Sequence, residues 1–103
     1  METETRVYTR YSILTEDINR GGVARLCREH RVDCTLYAGV GLFNGNIEES
    51  LTVVHLAPLE ANVREEIKAL ARDIKAENNQ REIWITEETV TLKKLLDNAP
   101  AIG

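Results

Sequence analysis

The stretch TLYAGVGLFNGNIEESLTVVHL, residues 35–56, decides how this chain folds. From Cys34 to Phe43 the side chains alternate. Cys34, Leu36, Ala38, Val40 and Leu42 share one face, and Thr35, Tyr37, Gly39, Gly41 and Phe43 share the other. Asn44-Gly45 follows, two residues that tolerate the positive φ angles of a tight hairpin turn. A second β-rich run, Leu51–Leu56, completes the hairpin. Two glycines on one face imply a bend, a bulge or the close approach of another group. Gly39-Val40-Gly41 is no nucleotide motif, because it lacks the third glycine and the strand-to-helix context of a dinucleotide loop.

Working outward, Arg6–Leu14 alternates as a first strand, and residues 1–5 are expected to fray. Thr15–His30 is expected to contain a short helix with Asn19 as N-cap and a stripe of Val23, Leu26, Cys27 and His30. Gly21-Gly22 in its first turn has two readings. One is a loose turn, costing about 1 kcal/mol per glycine relative to alanine; the other is a helix start that an anion could approach. The loose turn is favoured, since a glycine pair alone is a weak signal. Downstream, Pro58 is expected to open a long helix with Leu59–Asn78 as its body and Val63, Ile67, Leu70, Ala71 and Ile74 as its stripe. Glu60, Glu65 and Glu66 early and Lys75 late suit the helix dipole. Arg81–Thr86 reads as a fourth strand that Glu87–Leu92 can extend. Residues 1–92 then form one domain, and 93–103 form a tail that either docks or is disordered. The order βαββαβ predicts a ferredoxin-like α+β sandwich, a four-stranded antiparallel sheet with two helices on one face.

At 103 residues the chain can bury a core without staples. Its 43% hydrophobic and 29% charged residues are those of an ordinary globular domain. The net charge of −4 disfavours nucleic-acid binding, which needs phosphate neutralisation, although Arg6, Arg10, Arg20, Arg25, Arg28 and Arg31 cluster early and could hold a small anion. Cys27 and Cys34 lack the number for a disulfide framework and the company for a metal site; they read as inert core residues. No apolar run approaches the roughly 18 residues of a membrane span, and METETR is unlike a signal peptide. A complete, cytoplasmic protein is expected.

A sheet covered on one face leaves the other open. If Val7, Ile13, Ile83 and Ile85 face the helices, then Tyr8, Arg10, Ser12 and Trp84 face outward, joined by Tyr37 and Phe43 and, depending on register, His55. Three readings of this aromatic surface compete. Self-association, as a dimer or higher homo-oligomer, would bury it. A ligand site would stack a flat base on Tyr8, Tyr37 or Trp84 and give a phosphate to Arg10. Single-stranded nucleic acid is the least favoured, given the charge. Catalysis is not indicated. His30 lies on a helix stripe, His55 has no nucleophile or carboxylate tied to it by spacing, and no metal-ligand pattern occurs. No cofactor is expected.

YSILTEDINRGGVARL, DCTLYAGVGLFNGNIEESLTVV and IKALARDIKAENNQREIWIT together resemble small uncharacterised phage and prophage proteins over roughly residues 8–86. Phe43 stands where an aromatic precedes the turn, and Asn78-Asn79-Gln80 closes the second helix. The resemblance carries no catalytic residues. It implies a phage accessory protein that works by binding, either capturing a host protein or sequestering a nucleotide-like second messenger of host immunity. Asn19, Arg20, Asn78, Asn79 and Gln80 become candidates for polar ligand contacts, with helix capping as the plainer role of each. The expected protein is therefore a non-enzymatic oligomer binding a small anionic or nucleotide-like ligand through Tyr8, Arg10, Tyr37, Phe43, His55, Trp84 and Asn79. The alternatives are a module gripping a host protein through the open face, and a cofactor-free dimeric enzyme using His55.

Overall fold

The computed structural model describes residues 2–97, so the final residues of the expected tail, 98–103, lie outside the described part. Strands β1 (Glu2–Glu16), β2 (Thr35–Phe43), β3 (Asn46–Pro58) and β4 (Trp84–Leu96) alternate with helices α1 (Arg20–Glu29) and α2 (Arg64–Glu77) in the order βαββαβ. All pairings are antiparallel, and the sheet order is β2-β3-β1-β4. This is the expected ferredoxin-like sandwich.

The core forms where the helices cover the sheet. Tyr11 and Ile13 of β1 and Leu51, Val53 and Ala57 of β3 meet Val23, Leu26 and Cys27 of α1 and Ile67, Leu70, Ala71 and Ile74 of α2. Each helix supplies the apolar stripe its spacing announces. Asn19 caps α1 by accepting from the Gly22 N–H at 3.1 Å, so of the two glycine amides that could meet an anion that of Gly22 is already occupied. Exposed ion pairs join the elements: Arg25 bridges Glu29 and Glu77, and Arg64 holds Glu87 through two parallel contacts of 2.8 and 3.0 Å.

Strands β1 and β3 and the far end of β4 run further than the sequence predicts, and the reason is pairing. Glu2–Thr5, expected to fray, lie against Lys93–Leu96 of β4, so four residues of the expected tail belong to the sheet. The hairpin closes tightly, with Asn44 and Gly45 at φ 52° and 78°, and Phe43 pairs with Asn46 directly across the turn. Gly41 leaves the space that the Phe43 ring fills, which explains one glycine of that face by the close approach of another group. Pro58 does not open the second helix. It ends β3 opposite Tyr8, a strand position where a missing N–H is tolerated. A turn with the Ala61 N–H donating to the Pro58 carbonyl at 2.9 Å separates it from α2.

The described residues extend well past the helices, with overall dimensions of 53 × 29 × 29 Å. Two ribbons project: Glu2–Val7 with Thr91–Leu96, which no third strand flanks, and the hairpin from Gly39 to Ser50. The hairpin carries Val40, Leu42 and Ile47 at 68%, 72% and 73% exposure, on strands that are apolar yet uncovered.

Candidate functional site

A cleft of about 600 Å³ opens where the hairpin projects past the end of β1 and the start of β4. Its aromatic walls are Phe43, from the hairpin, and Trp84, the first residue of β4. Leu14, which pairs with Trp84, adds apolar surface, and Asn79-Gln80-Arg81-Glu82, the connection from α2 to β4, forms a polar side. Glu16, Glu48 and Glu49 complete the rim.

A buried polar cluster sets the position of that connection. Asn78, 6% exposed, donates through Nδ2 to Thr15 Oγ1 at 3.0 Å, and the Thr15 hydroxyl is hydrogen-bonded to Gln80 Oε1. Gln80 Nε2 in turn donates to the Glu82 carbonyl at 3.3 Å. Asn79 takes a left-handed conformation, φ 51°, which asparagine tolerates better than most residues. The helix therefore stops, turns and delivers Trp84 to the sheet edge with its ring on the open face. Arg81 is exposed and makes no ion pair among the described residues, so among them it is the cleft's one available cation.

Of the seven expected site residues, the fold brings Phe43, Asn79 and Trp84 together in this cleft. Tyr8, Arg10 and Tyr37 are on the open face as their alternation requires, but outside it. Arg10 is engaged across the strands with Glu88 at 2.9 Å, which weakens its claim to a phosphate. His55 is elsewhere. It shares the covered face with Leu51, Val53 and Ala57, pairs with Tyr11, and sets its Nδ1 at 2.7 Å from the Asp33 carbonyl. The alternation Leu51, Val53, His55 already carried that orientation. Sequence reasoning missed Thr15, Arg81 and Glu82, since nothing in their local pattern distinguishes them from ordinary strand and loop residues. Asn19 and Arg20 are held near α1: Asn19 as its cap, Arg20 by Asp17 at 2.5 Å.

A second cleft of about 420 Å³ lies between α1 and the start of β2, lined by Cys27, Arg28, Arg31, Asp33 and Cys34 among others. No group of three or more His, Cys, Asp or Glu among the described residues is arranged to hold a metal ion, and no helix there is long and apolar enough to cross a membrane.

The fold places the chain with antiparallel ferredoxin-like sandwiches, and solved structures of that kind resemble it. The nitrogen regulatory PII-like protein CPII from Thiomonas intermedia K12, in its apo form, superposes with a TM-score of 0.61 at 10% identity, over 91% of this chain and 100% of that one. The same protein bound to ADP, AMP and bicarbonate gives 0.59 at 9% identity, over 90% and 100%. A phage SAM lyase in the apo state gives 0.50 at 15% identity, over 91% and 94%. At these identities the likeness is one of fold. No protein-family model and no curated protein sequence matches the chain.

Proposed function

We propose that this protein is a homo-oligomeric binding protein that takes a small nucleoside-like ligand in the cleft between Phe43 and Trp84. The observation that carries the reading is the convergence of two exposed aromatic rings and a connection rich in amide and guanidinium groups on one cavity of about 600 Å³. That volume falls within the range of small-molecule pockets, about 300–1,000 Å³. A base ring stacks on the aromatic faces, worth roughly 1–3 kcal/mol per base by alanine substitution. Carboxylates accept hydrogen bonds from sugar hydroxyls, and Arg81 is the natural partner of a phosphate. Glu16, Glu48, Glu49 and Glu82 set four carboxylates against that single guanidinium. The cleft therefore suits a nucleoside or monophosphate better than a polyphosphate. Arg10, paired with Glu88 and outside the cleft, gives up the phosphate role to Arg81.

The PII-like neighbour carries ADP and AMP, which supports nucleotides as a ligand class for this architecture. Self-association is supported by the uncovered apolar side chains of the hairpin and by Trp84, since surfaces of that kind are usually interfaces. The phage setting implied by the sequence is in keeping with a phage enzyme among the chains sharing the fold; in that setting the role assigned here is sequestration of a nucleotide-like signal. The host-protein alternative is favoured by the same exposed hairpin. The enzymatic alternative, which requires His55 in an enclosed pocket, gains nothing, because His55 lines neither cleft.

Native mass spectrometry followed by calorimetric titration with adenosine, AMP, ADP and ATP tests the proposal. The expected result is an oligomer whose affinity falls as phosphates are added. Trp84→Ala and Phe43→Ala should each weaken binding about tenfold or more, the equivalent of a lost stacking contact. An oligomer that binds none of the four at millimolar concentration would leave the hairpin and open face to a protein partner.

A further inference from the structure

We infer that Cys27 and Cys34 form a peroxide-sensitive dithiol that closes to an internal disulfide. The sequence reads both as inert packing, yet the fold sets them together on the wall of the cleft between α1 and β2. Cys27, in the last turns of α1, is buried; Cys34, just before β2, is half-buried; both are free thiols. Val32 links their positions, its N–H donating to the Cys27 carbonyl at 3.0 Å and its own carbonyl accepting from the Cys34 thiol at 3.4 Å. Arg31 between them adopts a left-handed conformation, φ 56°, so the chain reverses tightly and returns Cys34 toward the helix. The thiols also sense each other. The neighbouring Cys34 side chain lowers the Cys27 thiol below its usual range, while Cys34, facing Cys27 and partly desolvated, is pushed up.

The hydrogen bonding assigns the roles: the Cys34 thiol commits its proton to the Val32 carbonyl, which leaves Cys27 as the thiol that ionises. A low thiol is the nucleophile and a high one keeps its proton until it resolves the product. The Cys27 thiolate attacks one oxygen of hydrogen peroxide, the O–O bond breaks, and the departing hydroxide takes up a proton to leave as water. Cys27 is then a sulfenic acid, oxidised by two electrons. The Cys34 sulfur attacks the Cys27 sulfur and expels the hydroxyl, which leaves with the Cys34 proton as a second water. One peroxide is reduced to two waters, and two thiols become one disulfide. Arg28 and Arg31 on the same wall favour the Cys27 thiolate and the hydroxide that departs. The bond would tie α1 to the root of the hairpin strand.

The test is stoichiometric hydrogen peroxide on the intact reduced protein, read by whole-protein mass, thiol titration and tryptic mapping. The expected product is a monomer chain about 2 Da lighter with no titratable thiol, giving a Leu26–Arg28 peptide cross-linked to Val32–Arg64. Cys34→Ser should instead trap sulfenic acid on Cys27, captured by dimedone, whereas Cys27→Ser should react much more slowly. Circular dichroism of each variant checks that it folds, and the wild-type measurement stands whether or not they do. Two free thiols after treatment, or cross-links only between chains, would overturn the inference.

Discussion

The helix-covered centre of the sheet and the hairpin that projects from it are written in the same alternating code, and they meet opposite fates. In the centre Ile13, Leu51 and Val53 are essentially buried, while Val40, Leu42 and Ile47 of the hairpin are mostly exposed. The difference is length. Helices of 10 and 14 residues reach about 15 and 21 Å at a rise of about 1.5 Å per residue. Strands of 13–15 residues run about 43–50 Å at about 3.3 Å per residue. Two such helices cannot cover the sheet, so its ends remain uncovered, and at the hairpin end that leaves apolar side chains exposed. Alternation reports which side a residue takes; only the reach of the covering layer decides whether that side is buried.

The contrast can be broken most forcefully in the centre. Leu70→Ala, at a fully buried position where both helices and the sheet converge, should cost about 2–5 kcal/mol in denaturant unfolding, through lost burial and a residual cavity. A loss below about 1 kcal/mol would show that the centre collapses around the gap. Asn78→Ala should cost less, about 1–3 kcal/mol, by stranding the Thr15 hydroxyl network. Because Asn78 Oδ1 itself has no hydrogen-bond partner among the described residues, the low end of that range is expected.

At the hairpin the same chemistry should have little effect on the folded chain. Leu42→Ser is expected to change unfolding free energy by less than about 0.5 kcal/mol while lowering the oligomer fraction in sedimentation. A large stability loss with unchanged mass would mean that the hairpin is covered within the chain after all. The smallest effect is electrostatic. Arg64 holds the Glu87 carboxyl below its ordinary value of 4.5, chiefly by hydrogen bonding. A depressed carboxyl contributes stability above its unfolded pKa and loses it as pH falls through the lower folded value. Glu87→Gln should therefore flatten a shallow decline in melting temperature below about pH 4.5, and leave stability near neutrality only slightly reduced, since both partners are exposed.

The faces of the strands were legible before the fold was known. Alternation correctly put Tyr8, Arg10, Ser12 and Trp84 on one face and Ile13 and Ile85 on the other, and it could equally have put His55 with Leu51 and Val53. It did not bring Phe43, Asn79 and Trp84 together, because their meeting depends on how far the hairpin overshoots β1 and where the α2–β4 connection turns. The cysteines show the same gap. Seven positions separate Cys27 from Cys34, and their proximity depends on the reversal at Arg31.

By itself the sequence determined the element order, the turn at Asn44-Gly45, the helix stripes and the faces of the strands. All of these follow from local periodicity and backbone preference, which act over a few residues. The tertiary structure alone decided that Glu2–Thr5 and Lys93–Leu96 are strand, that Pro58 ends one, and that the cleft exists. Those depend on partners up to 94 positions away, as in the pairing of Glu2 with Leu96. A polar segment with weak β propensity becomes a strand when a neighbouring strand satisfies its backbone hydrogen bonds, and no local pattern announces that neighbour.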